Sequence, residues 1–285
     1  MIRSLTRISA APLLLALGLA GCGHTVQGTS GAEYLASYTP RPIARTASPD
    51  PVAAALLAAL APTAESAAPA VIDPIVMAAA VEPRLQFPAR LGLARVLNGR
   101  LTVVPGEEAG AWRTMADRYG HLGTFVPVEP LIVETTVQSI RARCAQAHTS
   151  CAQGLIEQIR LGAARQHLDA VLIYEVGART EIDATPLAIA DLTLIGGAIL
   201  PTRSIEAEGK AAAILIDVRN GYPYGTATAT ADLSTLATSW GNDARRQRLQ
   251  DEAVAKVVAA LIPEVEAMMT GVVQRAAERR VARQP

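Results

Sequence analysis

Residues 168–176, LDAVLIYEV, constrain the fold more than any other stretch, because they form a continuous apolar run of strand length. A strand with no polar alternation has to be covered on both faces. What precedes it supplies one cover: between Ala152 and His167, residues Leu155, Ile156, Ile159 and Ala163 fall on one side of a helix. Helix leading straight into buried strand is the signature of layered α and β structure. Two further runs, AAAILIDV and YGTATATADL, have strand character, and RNGY between them carries an Asn-Gly pair suited to a tight hairpin. Consecutive strands joined in that way imply an antiparallel portion of the sheet.

Upstream, ARLGLARVLNGRLTVVP reads as two strands around Asn98 and Gly99, a pair that accepts the positive φ values of a tight turn. GEEAGAWRTMADRYG reads as an amphipathic helix, with Glu107 and Glu108 early, Trp112, Met115 and Tyr119 at helical spacing, and Gly120 at the C-terminal cap position. TFVPVEPLIV reads as extended, its prolines suiting a sheet edge, and the next helix is expected from Val137. The chain closes with a long helix in which Val257, Leu261, Val265, Met268, Val272 and Ala276 repeat in steps of three and four. Pro263 falls inside it and predicts a kink or a restart. The expected architecture is α+β or α/β: a mixed sheet with an antiparallel portion, helices packed on it and a long C-terminal helix, all preceded by a disordered tether.

The N-terminus carries a different kind of information. Arg3 and Arg7 precede an apolar run from Pro12 to Ala20 that is too short to cross about 30 Å of hydrocarbon as a helix. This is the layout of a secretory signal. Its ending, LAGC at residues 19–22, resembles the bacterial lipobox, in which the cysteine is lipidated and becomes the first residue after cleavage. The resemblance implies a lipid on Cys22, with the membrane as the first partner. Several acyl chains, at about 0.8 kcal/mol per buried methylene, hold more firmly than one. By resemblance to enterobacterial sorting, Gly23 in place of Asp after that cysteine implies the outer membrane, with the protein facing the periplasm.

Three regions follow: a signal peptide over 1–21, a lipid anchor with an Ala/Pro-rich tether over 22–84, and a single globular domain over 85–285. The tether composition, as in YTPRPIARTASPDP, offers little to bury. Within it DPVAAALLAALAP predicts a short helix capped by Asp50, opened by Pro51 and stopped by Pro62. As a coil, about 60 residues span roughly 40–45 Å.

Of the residues, 50% are hydrophobic, which is enough for a core, while Lys plus Arg and Asp plus Glu stand at 26 each and aromatics at only 4%. Neither a basic surface nor a base-stacking platform follows, so nucleic acid is not an expected partner. One local bias is the arginine-rich tail over 275–283, read as a solvated helix end, with contact to anionic headgroups or to a partner as the alternative. With Cys22 assigned to lipid, Cys144 and Cys151 remain as an expected disulfide in an oxidising compartment. Seven residues of continuous helix would separate their Cα atoms by about 10.5 Å, beyond the roughly 7 Å that a disulfide bridges. AQAHTS is therefore expected to be a turn between two helices.

The motifs that announce chemistry, G-x-G-x-x-G, the phosphate loop, G-x-S-x-G and H-E-x-x-H, do not occur after Cys22. No cofactor, catalytic residue or metal set is expected. Two pairs at helical spacing form the alternatives: Cys144 with His148 as a thiolate and its base, and Asp117 with His121 as half a metal site. His167, close to Asp169, reads as a helix end. Tyr222 and Tyr224 read as exposed aromatics at a hairpin tip, a possible contact for a partner protein. PLAIADLTLIGGAILP, at 186–201, poorly alternates for a bilayer hairpin.

The region 168–229, with LDAVLIYEV, LTLIGGAILP and AAAILIDVRNGYPYGTA in order, resembles the rhombotarget-type lipoproteins of bacteria. The order of elements is similar, more remotely, to periplasmic α/β domains of the curli-secretion and penicillin-binding-protein activator types. The chain departs from the rhombotarget pattern at its end, RAAERRVARQP, where a glycine-rich motif, apolar helix and basic tag would stand. These resemblances imply a non-catalytic protein-interaction module in envelope assembly or transport, with an envelope protein as partner. A periplasmic small-ligand or metal-binding module and a thiol-dependent enzyme using Cys144 are the other two readings.

Overall fold

The computed structural model describes residues 22–28, 30–37, 74–119, 122–147, 154–184, 203–237 and 242–282. Their strands are β1 (Gly23–Val26), β2 (Ala89–Leu97), β3 (Arg100–Thr102), β4 (Gly123–Pro127), β5 (Ala170–Ala184), β6 (Arg203–Asp217) and β7 (Pro223–Ala237). The helices are α1 (Gly31–Ser37), α2 (Pro74–Ala79), α3 (Gly106–Arg118), α4 (Pro130–Gln146), α5 (Leu155–Arg165) and α6 (Asn242–Ala282). The sheet runs β1-β7-β6-β5-β2-β3, with β4 also on β2. It is mixed, as expected, and the fold is α+β.

Turn chemistry sets the antiparallel pairs. Asn98 and Gly99 both take positive φ, 51° and 71°, which closes β2 onto β3 with Leu97 opposite Arg100. The β6–β7 hairpin closes through Gly221 at φ 77°, its N–H donating to the Asp217 carbonyl. The first residues of β5 and the last of β6 lie side by side, since Val218 N–H donates to the Asp169 carbonyl. By contrast β4 is parallel to β2, Ala89 facing Gly123 and Leu93 facing Pro127, because the intervening helix α3 carries the chain back to the same end.

The chain divides into two compact units: residues 1–24, 176–212 and 227–264 in one, and residues 25–175, 213–226 and 265–285 in the other. In the first, β6 alternates with period two. Ile205, Ala207, Gly209 and Ala211 are buried, while Glu206, Glu208 and Lys210 are exposed. Leu249 and Ala253 of α6 join Ile205 and Ala207 in one apolar cluster. Gly209 permits the approach: a Cβ there would sit 2.7 Å from the Ala253 carbonyl oxygen.

In the second unit β2 is buried on both faces. Ala94 and Val96 join Val133, Val137, Ile159 and Ala163 of α4 and α5, with Val171 and Ile173 of β5 in the same cluster. On the other face Tyr174 packs its ring 5.3 Å from that of Trp112 on α3. Tyr119, just past α3, donates from its hydroxyl to Glu266 of α6 at 2.7 Å.

Several expectations shift by a few residues for identifiable reasons. LIV at 131–133 is helical rather than extended, because Pro130 occupies the first position of α4, where its missing N–H costs nothing. The helix therefore opens seven residues before Val137. Ile156 is 48% exposed, so the buried stripe of α5 is Ile159 and Ala163 without it. Helix α6 continues through Pro263 without restarting. Pro263 lies on the exposed side, where a carbonyl deprived of its partner is solvated. The helix expected over 50–62 and the apolar run over 186–201 lie outside the described residues.

The stretch read as a tether contributes structure at both of its ends. Gln27 N–H donates to the Tyr224 carbonyl at 2.9 Å, Thr25 pairs hydroxyl to hydroxyl with Thr226 at 2.7 Å, and the Thr228 hydroxyl donates to the Gly23 carbonyl at 3.4 Å. The numbering of these pairs is that of an antiparallel strand on the edge of β7. Arg275 donates to the Val26 carbonyl at 2.9 Å, and a Cβ on Gly31 would run into the Ala79 carbonyl. Strand β1 and helix α1 are thus docked ahead of the Ala/Pro-rich segment. A protease site inserted near residue 55 tests this: after cleavage, residues 22–37 should copurify with the remainder in native buffer and separate in urea. Loss of that piece without denaturant would show that β1 is not held.

Candidate functional site

The residues singled out in the sequence are placed as follows. Cys22 is exposed, is a free thiol among the described residues, and stands one residue ahead of β1. Cys144 lies half-buried in the last turn of α4, two residues before the helix ends at Gln146. Of the turn expected over AQAHTS, Ala145 and Gln146 still belong to α4 and residues 148–150 lie outside the described residues; helix α5 opens at Leu155. Cys151, His148 and His121 lie outside the described residues, and Asp117 is exposed on α3. Among the described residues no cluster of three His, Cys, Asp or Glu side chains is placed to hold a metal ion.

His167 takes φ 57° at the end of α5. Its N–H donates to the Ala164 carbonyl and the N–H of Leu168 to the Ala163 carbonyl, the paired bonds of a Schellman closure with histidine where glycine is usual. Its role is to end the helix.

Tyr222 and Tyr224 are corrected by the structure. They are only 6% and 2% exposed, so neither is an aromatic surface at a hairpin tip. Their rings meet edge to face at 5.1 Å. The Tyr224 hydroxyl donates to Asp217 Oδ2 at 2.7 Å and accepts from the N–H groups of Leu85, at 2.7 Å, and Arg84, at 3.0 Å. That uses its full hydrogen-bonding capacity. Asp217, itself 1% exposed, also accepts at Oδ1 from Arg219 N–H at 2.8 Å. Asn220 completes the turn by accepting from Tyr222 N–H at 3.0 Å and donating to the Glu82 carbonyl at 2.7 Å. The pattern tyrosine-proline-tyrosine marked a turn correctly but said nothing of its burial. The missed signal was Asp217, an aspartate at the first position of an Asn-Gly turn, where a carboxylate collects the following backbone N–H groups.

A second buried network was absent from the sequence reading. Arg95, 7% exposed on β2, donates from Nε to both oxygens of Glu108, at 3.2 and 3.0 Å, and from Nη1 to Thr102 at 3.2 Å. Tyr174 adds its hydroxyl to Glu108 at 2.7 Å. Arg95 on a strand and Glu108 in the first turn of a helix are thirteen residues apart, a spacing that no local period connects. Arg160 on α5 is likewise occupied, donating to Glu157 at 2.7 Å and to the Val218 carbonyl at 3.0 Å. These groups hold strands and hairpins together.

Comparison with known proteins adds little. No family model matches the chain, and no curated protein sequence matches it. Among solved structures, the PelC dodecamer from Paraburkholderia phytofirmans is 15% identical and covers 64% of this chain and 86% of its own, at a TM-score of 0.29. Lipoprotein GNA1162 from Neisseria meningitidis is 17% identical, covering 61% and 99%, at a TM-score of 0.26. The LpoB C-terminal domain from Salmonella enterica is 12% identical, covering 54% and 86%, at a TM-score of 0.21.

The Asp217–Tyr224 bond yields a prediction with a pH dependence. Burial, and next the hydrogen bond to Asp217, raise the Tyr224 pKa above the ordinary value of 10.0. A raised folded-state pKa gives stability that is fully present below about pH 10 and is lost as pH climbs toward the folded value. Tyr224→Phe should cost about 1–3 kcal/mol at neutral pH, because Asp217 loses a buried donor and two N–H groups lose their acceptor. Urea midpoints measured between pH 8 and 11 should fall less steeply above pH 10 in the variant than in the native chain. Parallel curves would exclude the bond as the source.

Proposed function

We infer that this chain is a lipid-anchored protein of the bacterial envelope, held at the outer membrane through Cys22 and acting by binding another envelope protein rather than by catalysis. The observation that carries this reading is the position of Cys22, exposed and directly ahead of a strand that is already part of the sheet. A secretory signal ending in LAGC, and a strand over Gly23–Val26 that pairs with β7, support Cys22 as the first residue of the mature chain. The resemblance of residues 168–229 to rhombotarget-type lipoproteins points the same way.

This arrangement changes the expected geometry of anchoring. A coil between lipid and domain would give a reach of roughly 40–45 Å. With β1 docked on β7, a lipid on Cys22 would instead sit at the edge of the sheet. Helix α6 is long and apolar enough to cross a bilayer by length and composition, with a mean hydropathy of 1.4 in its most apolar window. Its Val257, Leu261, Val265, Met268 and Val272 are buried within the protein, which favours a core helix.

A disulfide between Cys144 and Cys151 belongs to the same reading, closing the α4–α5 connection in an oxidising compartment. In the chain-entropy account a loop of this size stabilises by roughly 2.5 kcal/mol. Catalysis by Cys144 is the competing use of that thiol.

Two measurements test the proposal. Intact-mass analysis after alkylation without reduction should find acyl chains on Cys22, none after Cys22→Ala, and no alkyl label on Cys144 or Cys151; an unlipidated native chain sinks the anchor, and a labelled Cys144 sinks the bridge. Photo-crosslinking residues placed at the exposed apolar positions Val103, Leu131 and Leu236 should capture a protein in the native envelope. If no position across the surface yields a crosslinked species, the binding role is wrong.

A further inference from the structure

Helix α6 ends beside the segment 83–88, and between them, wholly inside the second unit, lies a groove of about 580 Å³. That volume falls in the range of small-molecule sites. Its walls are apolar: Leu85, only 6% exposed, with Phe87, Val273 and Ala276, each half-buried. Three arginines, Arg84, Arg279 and Arg280, line it as well.

What marks this groove is that three arginines line one apolar cavity and none of them is in an ion pair among the described residues. The adjoining cleft lined by Glu157, Arg160, Asp169 and Arg219 has about 480 Å³, but its charges are matched: Arg160 with Glu157 at 2.7 Å and Arg219 with Asp169 at 2.8 Å. Arg95, Arg118 and Arg246 are likewise paired with carboxylates. None of the side chains of Arg84, Arg279 and Arg280 is paired with a carboxylate among the described residues. The dipole of α6 accounts for cations in its last turn, because it places about half a negative charge there. It does not account for Arg84, which comes from a different element, nor for the apolar walls beneath. Three cations against half a negative charge leave the groove clearly positive.

We propose that this groove binds a monomeric, single-chain anionic amphiphile, the acyl chain lying along Leu85, Phe87, Val273 and Ala276 and the anionic head held by Arg84, Arg279 and Arg280. Guanidinium forks match the planar oxygens of a carboxylate, and their methylene stems extend the apolar wall. The inference does not rest on the anchor at Cys22, and its test leaves the anchor out.

Residues 22–285 with Cys22→Ser keep every other described side chain and need no detergent. Titration with decanoate below its micellar concentration should give saturable one-site binding, and decyltrimethylammonium, with the same chain and opposite charge, should give none. Arg84→Gln/Arg279→Gln/Arg280→Gln should weaken decanoate at least about tenfold, the loss of one or two charge-assisted bonds, with the melting temperature unchanged. Ala276→Trp should fill the groove and abolish binding while leaving the arginines in place. Equal binding of the two amphiphiles, undiminished binding by the triple variant, or attachment to anionic vesicles with no uptake of decanoate would each overturn the proposal.

Discussion

The close approach of α6 to the sheet is the constraint on which the rest depends. It is possible because the strands present small side chains toward the helix: Ala207, Gly209 and Ala211 on β6 are buried, as are Ala227, Ala229 and Ala231 on β7. At Gly209 the distance is so short that only a hydrogen fits against the Ala253 carbonyl. The alanines of β6 and β7 follow from this geometry, since strands coated with large side chains would hold the helix farther away and leave gaps. The larger residues gather where helices cover both faces, around Trp112, Met115 and Tyr174.

Polar groups buried in that packing are tied to one another. Asp217 and Tyr224 secure the β6–β7 hairpin to the segment leading into β2, while Arg95 and Glu108 secure the β2–β3 ladder to α3. Each of these bonds joins residues from different elements, and each would leave a costly orphan if one partner were removed. Burial, and next the contact with Glu108, raise the Tyr174 pKa as they do for Tyr224 with Asp217. Each network therefore loses stabilising effect as pH rises toward the raised pKa of its own tyrosine.

What was readable in the sequence was whatever depends on local period and turn chemistry. Asn98-Gly99 and Asn220-Gly221 announced both hairpins, LDAVLIYEV announced a central strand, and the stripe from Val257 to Val272 announced the buried side of α6. Pairings between distant residues were not readable, because nothing local distinguishes Arg95 from a solvated arginine or Tyr224 from an exposed one. The four-residue strand β1 escaped for the same reason: GHTV has no alternation strong enough to stand out from a low-complexity neighbourhood, and it becomes a strand only because β7 offers it an edge. The groove beside α6 was visible in part, as a charge bias over 275–283, but Arg84 and the apolar walls that give the bias a shape come from elsewhere in the chain.

Strands β5, β6 and β7 and helix α6 each pass from one compact unit into the other, and the crossing in α6 falls between Glu264 and Val265, two residues past Pro263. Each unit is assembled from several separate stretches of the chain, so neither can be excised with a single cut. Loss of either unit would truncate every strand that runs through both, so the two stand or fall as one inherited piece.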